Sequence, residues 1–262
     1  MNIFDTHAHY TDGRFENETD GGADALLREI FANGVCGIIN QSVNTQNAAR
    51  VIGMTRKYPL MYAAVGIHPT EMSGELPLDD AIDVLRGMIA DKEKNGIVAI
   101  GEIGLDYHYD DTDREKQMSF FRAQLELAEQ TGLPVCVHDR DAHGDTFETL
   151  IKYPSVRGVL HSFSGSAEMA HELIRRGWYI SFSGVVTFRN APRVREAAAS
   201  VPADRLLLET DAPYLAPEPF RGRINRSDYI RYSAQVLGEL HGMSADELCN
   251  IAKDNALKLF NI

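Results

Sequence analysis

The chain has 262 residues with a formal net charge of −12, which disfavours binding to nucleic acid by bulk electrostatics alone. A hydrophobic share of 44% supplies a sizeable core, and no apolar run reaches the ~18 residues of a membrane span. Cys36, Cys136 and Cys249 are widely spaced, and two of them sit inside apolar runs. That usage suits a reducing compartment and makes the cytoplasm the expected location.

Short β-branched apolar runs alternate with amphipathic segments along the chain. Asn2–Thr6 reads as a strand entered at once, with no expected room for a signal peptide, and it runs into His7 and His9. A helix over Ala23–Ala32 stops at Asn33-Gly34, and strands follow at Val35–Asn40 and Met61–Val65, the latter leading to His68. Asp79–Glu93 is predicted helical, and strand Ile97–Gly101 ends on Glu102. Helix Arg114–Gln130 closes at Thr131-Gly132 before strand Pro134–Val137, which ends on His138. Strand Gly158–Leu160 ends on His161, followed by helix Ala167–Arg176, strand Trp178–Phe182 and helix Pro192–Ala199. Strand Leu206–Leu208 leads to Asp211. Helices near Ser227–Leu240 and Ser244–Leu259 close the chain, the second opened by the capping box Ser244/Glu247.

Eight strand–helix alternations in this length have the rhythm of a single-domain (β/α)8 TIM barrel spanning residues 1–262. A doubly wound open sheet is the rival. Polar residues decide between them, because run after run ends in an ionisable side chain. In a barrel those strand ends converge on one face, where active sites are built.

His7 and His9 are two apart, so on a strand both imidazoles point to one side. Glu102 has two oxygens, with about four lone-pair sites between them, and can bridge cations. His7, His9, Glu102, His138, His161 and Asp211 together suit Zn²⁺ or Mn²⁺ and tolerate Mg²⁺. Six ligands exceed what one tetrahedral ion requires. The expectation is therefore two divalent metal ions: His7, His9 and Asp211 toward one, His138 and His161 toward the other, with Glu102 between.

The motifs that carry these residues resemble those of the TatD family of metal-dependent deoxyribonucleases. They are Phe4–His9, Val65–Pro69, Ile100–Tyr107, His138–Ala142, His161–Gly165 and Leu208–Leu215, in order over nearly the whole chain. The resemblance implies a member of the amidohydrolase-like superfamily that hydrolyses DNA phosphodiester bonds, commonly as an exonuclease. One stretch departs from the family pattern: Gly222-Arg223-Ile224-Asn225-Arg226-Ser227 stands where a Gly-Lys-Arg-Asn-Glu-Pro-like segment is usual, which leaves substrate contacts at that loop open.

On this reading the ions acidify the attacking water and neutralise charge on the phosphate. Asp211 steers the water or accepts its proton, and Glu209, two residues earlier on the same side of the strand, orients ligands. His68 hydrogen-bonds the scissile phosphate or protonates the leaving group. Arg140 grips a phosphate oxygen, or pairs with Asp106 or Asp139. Arg221 and Arg223 are candidate phosphate-backbone contacts. DNA is then the substrate, with no membrane and no obligatory protein partner, and a monomer is expected. One rival is a related barrel acting on amide or ester bonds, such as a deacylase of charged tRNA or a small-molecule hydrolase. The absence of a Lys in Ile97–Leu105, where many such relatives carry a carboxylated one, points away from it. A barrel that only binds is the other rival, and the complete ligand set argues against it.

Overall fold

The computed structural model describes all residues from Met1 to Ile262. Eight strands alternate with helices: β1 (Ile3–Ala8), β2 (Val35–Gln41), β3 (Met61–Ala64), β4 (Ile97–Asp106), β5 (Val135–Arg140), β6 (Gly158–Leu160), β7 (Tyr179–Phe182) and β8 (Leu206–Leu208). They follow sequence order in one sheet, and the fold class is the (β/α)8 TIM barrel. Two compact units share the chain, Met1–Asn40 with His161–Lys258, and Gln41–Leu160 with the last four residues.

In the first unit, β1 pairs in parallel with β2 from Ile3↔Val35 to Ala8↔Asn40. Gly37 lies against the Phe4 ring, where an added Cβ would come within 2.2 Å. β7 pairs in parallel with β8. β8 is in turn tied to β1: the Asp211 N–H donates to the His7 carbonyl (2.9 Å) and the His9 N–H to the Ala212 carbonyl (2.7 Å). Those two bonds fix where the strand ends deliver their side chains. At the last helix, Ala245–Phe260, the Ser244 hydroxyl accepts the Glu247 N–H (3.2 Å), which is half of the expected capping box.

In the second unit, all ten residues of β4 are buried, which explains an apolar run with no polar alternation. The helix Arg114–Thr131 serves this strand directly. Gln117 accepts the Asp106 N–H (2.8 Å) and donates to the Asp106 carbonyl (2.9 Å). Gln124 closes the same kind of pair on Ile67 (2.7 and 3.2 Å). Buried backbone groups at these strand ends are thereby satisfied by side-chain amides.

Several expected boundaries move. β4 continues past the expected end at Gly101, through Glu102 to Asp106, because β5 runs alongside it as far as Asp106↔Arg140. At Gly104 (φ 143°) a Cβ would meet the His138 carbonyl oxygen at 2.0 Å, so the close approach of the two strands requires glycine. The single helix expected at Asp79–Glu93 is two, Leu78–Ala90 and Lys92–Asn95. A helix not anticipated, Thr45–Lys57, is capped by Asn44, whose side chain accepts the Asn47 N–H (2.8 Å). Its apolar face is only Ala48, Val51 and Ile52, too thin a stripe to stand out. No helix is long and apolar enough to cross a membrane.

Candidate metal centre

In the first unit, β1 delivers both imidazoles to one place, with His7 Nε2 and His9 Nε2 3.1 Å apart. Asp211 Oδ1 lies 3.7 Å from the first and 3.4 Å from the second. One ligand atom from each falls within a 4.8 Å sphere, a donor set of two imidazoles and a carboxylate that fits a borderline divalent cation. Burial works against an ionised Asp211, but its hydrogen bond to His9 and the adjacent His7, His9 and His161 outweigh it. The carboxyl is held below the usual aspartate range.

Asp211 sits in left-handed backbone (φ 60°), a conformation that surrounding contacts must hold in place. Asn225 is fully buried beneath it and donates to the carbonyls of Thr210 (2.8 Å) and Tyr214 (2.7 Å). From the other side, Asp5 accepts the N–H groups of His7 (3.2 Å) and Thr210 (3.0 Å) and the Thr210 hydroxyl (2.6 Å). Burial pushes the Asp5 carboxyl up to about 7. His161 stacks on His7, centroids 3.9 Å apart and planes 10° from parallel. Glu209 Oε1 is 3.4 Å from His161 Nδ1 and accepts the Ser162 N–H (2.7 Å), while Oε2 accepts the Ser181 hydroxyl. A buried carboxylate set behind an imidazole fixes its ring and raises its basicity toward a metal.

The second unit builds another set from His68, Glu102 and His138. Glu102 Oε1 is 2.9 Å from His138 Nδ1 and 3.5 Å from His68 Nε2, and the two rings meet edge-on at 4.5 Å. The other nitrogen of His138 faces Asp106 Oδ2 at 3.2 Å. Burial alone would raise Asp106, but its bonds with His138 and with the His108 N–H, together with nearby Arg140, bring it below its ordinary value. This donor set also fits a divalent cation. His68, assigned from sequence to the substrate side, therefore lies against a ligand-type carboxylate.

The sequence reading named Asp106 only as an alternative partner for Arg140, and its place beside His138 was missed for a definite reason. It lies four residues beyond Glu102, on the same side of the strand, and became visible only once β4 was seen to extend that far. Asp5 and Asn225 were also unassigned, since neither is a strand-end ligand.

The arginines are placed more loosely. Arg140 ends β5 exposed, its guanidinium 5.7 Å from the Tyr109 ring centroid. Arg221 lies 4.3 Å over the Phe188 ring, and with Arg14, Arg223 and Tyr214 it lines a cavity of about 310 Å³. Arg226, in the loop that departs from the family pattern, is engaged by Asp228 (2.5 Å) and Glu29 (2.7 Å). Phe163 packs in the core near Phe182, and the Tyr107 hydroxyl donates to Asp145 (2.8 Å).

Residues 4–261 match the family model described as TatD related DNase. The chain is 38% identical over 267 residues to the uncharacterized metal-dependent hydrolase YabD of Bacillus subtilis (strain 168), covering 99% of each. It is 35% identical over 264 residues to the uncharacterized metal-dependent hydrolase YcfH of Escherichia coli (strain K12), covering 100% of this chain and 97% of that one. Among solved structures, YjjV, a TatD homologue from Escherichia coli K12, superposes with a TM-score of 0.90 at 33% identity, over 100% of this chain and 98% of that one.

Proposed function

From the premise that this chain belongs to the TatD-related DNase family of metal-dependent hydrolases, we propose that it cleaves DNA phosphodiester bonds from an end, using two divalent cations (Mg²⁺, Mn²⁺ or Zn²⁺). The observation that carries this reading is the pair of histidine–carboxylate sets, each at strand C-terminal ends of a (β/α)8 fold, where barrel active sites are built. His7, His9 and Asp211 would hold one ion, and His138 and Glu102 would hold the other, with His161 as a further ligand. Cations bound there acidify a water and offset the charge that develops on the phosphate.

The chain's own side chains do the rest. Asp211, kept ionised by its imidazole neighbours, accepts the proton released by the attacking water. Glu209 holds His161 in position, and Asp106 does the same for His138. His68 borders the leaving oxygen and stabilises or protonates it. Arg140, Arg221 and Arg223 meet phosphate oxygens, supplying local positive charge on a chain whose net charge is −12. That net charge favours the second reading, hydrolysis of an amide or ester in a small molecule.

One experiment separates the two. Release of nucleotides from single- and double-stranded DNA is measured with Mg²⁺, Mn²⁺ or chelator, beside turnover of N-acyl and aryl ester substrates. Metal-dependent nucleotide release is expected. Turnover of the ester or amide series with intact DNA would overturn the nuclease reading and leave the metal centre standing.

A further inference from the structure

The cavity beside the His9–Asp211 set is more than a patch of positive charge. We infer that it is a pocket for one unpaired nucleotide of the polynucleotide, with its base on Tyr214 and a phosphate at Arg221 and Arg223. This rests on the phosphodiesterase reading above.

Three features support it. The first is charge: Arg14, Arg221 and Arg223 line the same small cavity in a chain where Asp and Glu outnumber Lys and Arg by 38 to 26. An arginine-lined hollow on so acidic a protein marks an anion, and guanidinium groups suit phosphate in particular.

The second is a prepared aromatic surface. Tyr214 is 42% exposed, yet its hydroxyl donates to Asp12 Oδ2 (2.5 Å) and the Arg14 guanidinium lies 5.6 Å from its ring centroid. Its orientation is thus set by contacts that leave ring surface in solvent. Every base offers a π face to such a platform, whatever its identity. A simple anion has no use for it.

The third is position and size. The Tyr214 N–H donates to the Asp211 carbonyl (2.8 Å), and its ring stands 6.3 Å from that of His9. Tyr214 therefore joins the wall of the pocket to the His9–Asp211 set within one compact unit. A volume of about 310 Å³ is at the lower end of small-ligand sites, roughly 300–1,000 Å³, and accommodates a single nucleotide but no base pair. Strand ends and unpaired segments are favoured over duplex interiors, and base identity matters little.

The test is equilibrium binding of a short dye-labelled oligothymidylate to the full chain, followed by fluorescence anisotropy in chelator so that no cleavage occurs. Tyr214→Ala is expected to weaken binding about tenfold, the scale of one lost base stack, and Tyr214→Phe to restore it. An oligonucleotide lacking its terminal base should bind the natural chain about tenfold more weakly and lose nothing further on Tyr214→Ala. Arg221→Ala should reduce the slope of log affinity against log salt by about 0.7, one phosphate contact on a single strand, whereas Tyr214→Ala leaves that slope unchanged. The slope reads the contact itself, so a partly destabilised variant does not imitate it. Binding by Tyr214→Ala within twofold of the natural chain, with DNA still cleaved once metal is restored, overturns the pocket alone. Cleavage without any binding in chelator overturns it too. A natural chain that neither binds nor cleaves DNA overturns the pocket and the nuclease reading together.

Discussion

Where His7, His9 and Asp211 meet, main-chain bonds between β1 and β8 do the positioning, backed by the buried side chains of Asp5 and Asn225. Where His68, Glu102 and His138 meet, the ordering comes from carboxylates against imidazole rings, with Glu102 on one nitrogen of His138 and Asp106 on the other. The first set is thus fixed by the fold, and the second by the charges of its own members. Loss of a contact beneath Asp211 should accordingly cost folding stability, and loss of a carboxylate behind an imidazole should cost metal affinity.

Glu102→Ala gives the largest effect, because that carboxylate faces both His138 and His68. Hydrolysis should be abolished and bound metal, measured by elemental analysis, should fall. Full activity in this variant would contradict the ligand assignment and dissolve the distinction between the sets.

The next effect compares carboxylates that stand behind histidines. Asp106→Asn and Glu209→Gln should each lower metal affinity or activity by about 10–100-fold, the usual cost of losing a ligand-orienting partner. Metal titration followed by rate measurement checks this. Unchanged affinity in Asp106→Asn would show that the second set does not depend on charge as argued.

How much of this was legible in the chain alone follows from the same contrast. The barrel could be read, and candidate ligands placed at its strand ends, because many strands are short apolar runs followed by an ionisable residue, as at Val137-His138 and Leu160-His161. The place of Asp106 could not, since the strand expected to end at Gly101 in fact continues beside β5. Nor could the placing of His68 against Glu102, because a histidine in a loop before Pro69 has no periodicity to orient it. The helix at Thr45–Lys57 was hidden by the polarity of its sequence.

A stability measurement probes the first set. Asn225→Ala strips the Thr210 and Tyr214 carbonyls of buried partners and should cost about 1–3 kcal/mol in urea unfolding. A change below a few tenths would show that the turn beneath Asp211 is held by other means.

The smallest effect tests a histidine outside both sets. The hydrogen bond that His143 Nδ1 donates to Asp139 (2.7 Å) raises the pKa of His143 above its ordinary value despite partial burial. A raised folded-state pKa stabilises below the unfolded value and is lost as pH rises through the folded one. The charge-dependent part of the cost of His143→Asn should therefore be less than about 1 kcal/mol near pH 6 and vanish near pH 9, since the imidazole is partly exposed. A loss that grows with pH would reverse the assignment.

Asn225 has one more consequence. It ends the arginine-bearing loop and, at the same time, pins the turn that presents Asp211. The segment before it can change in length and charge without disturbing the Asp211 carboxylate, provided this one amide stays. The loop is in that sense an interchangeable cassette with a fixed socket, free to change what it contacts while the carboxylate beneath stays in place.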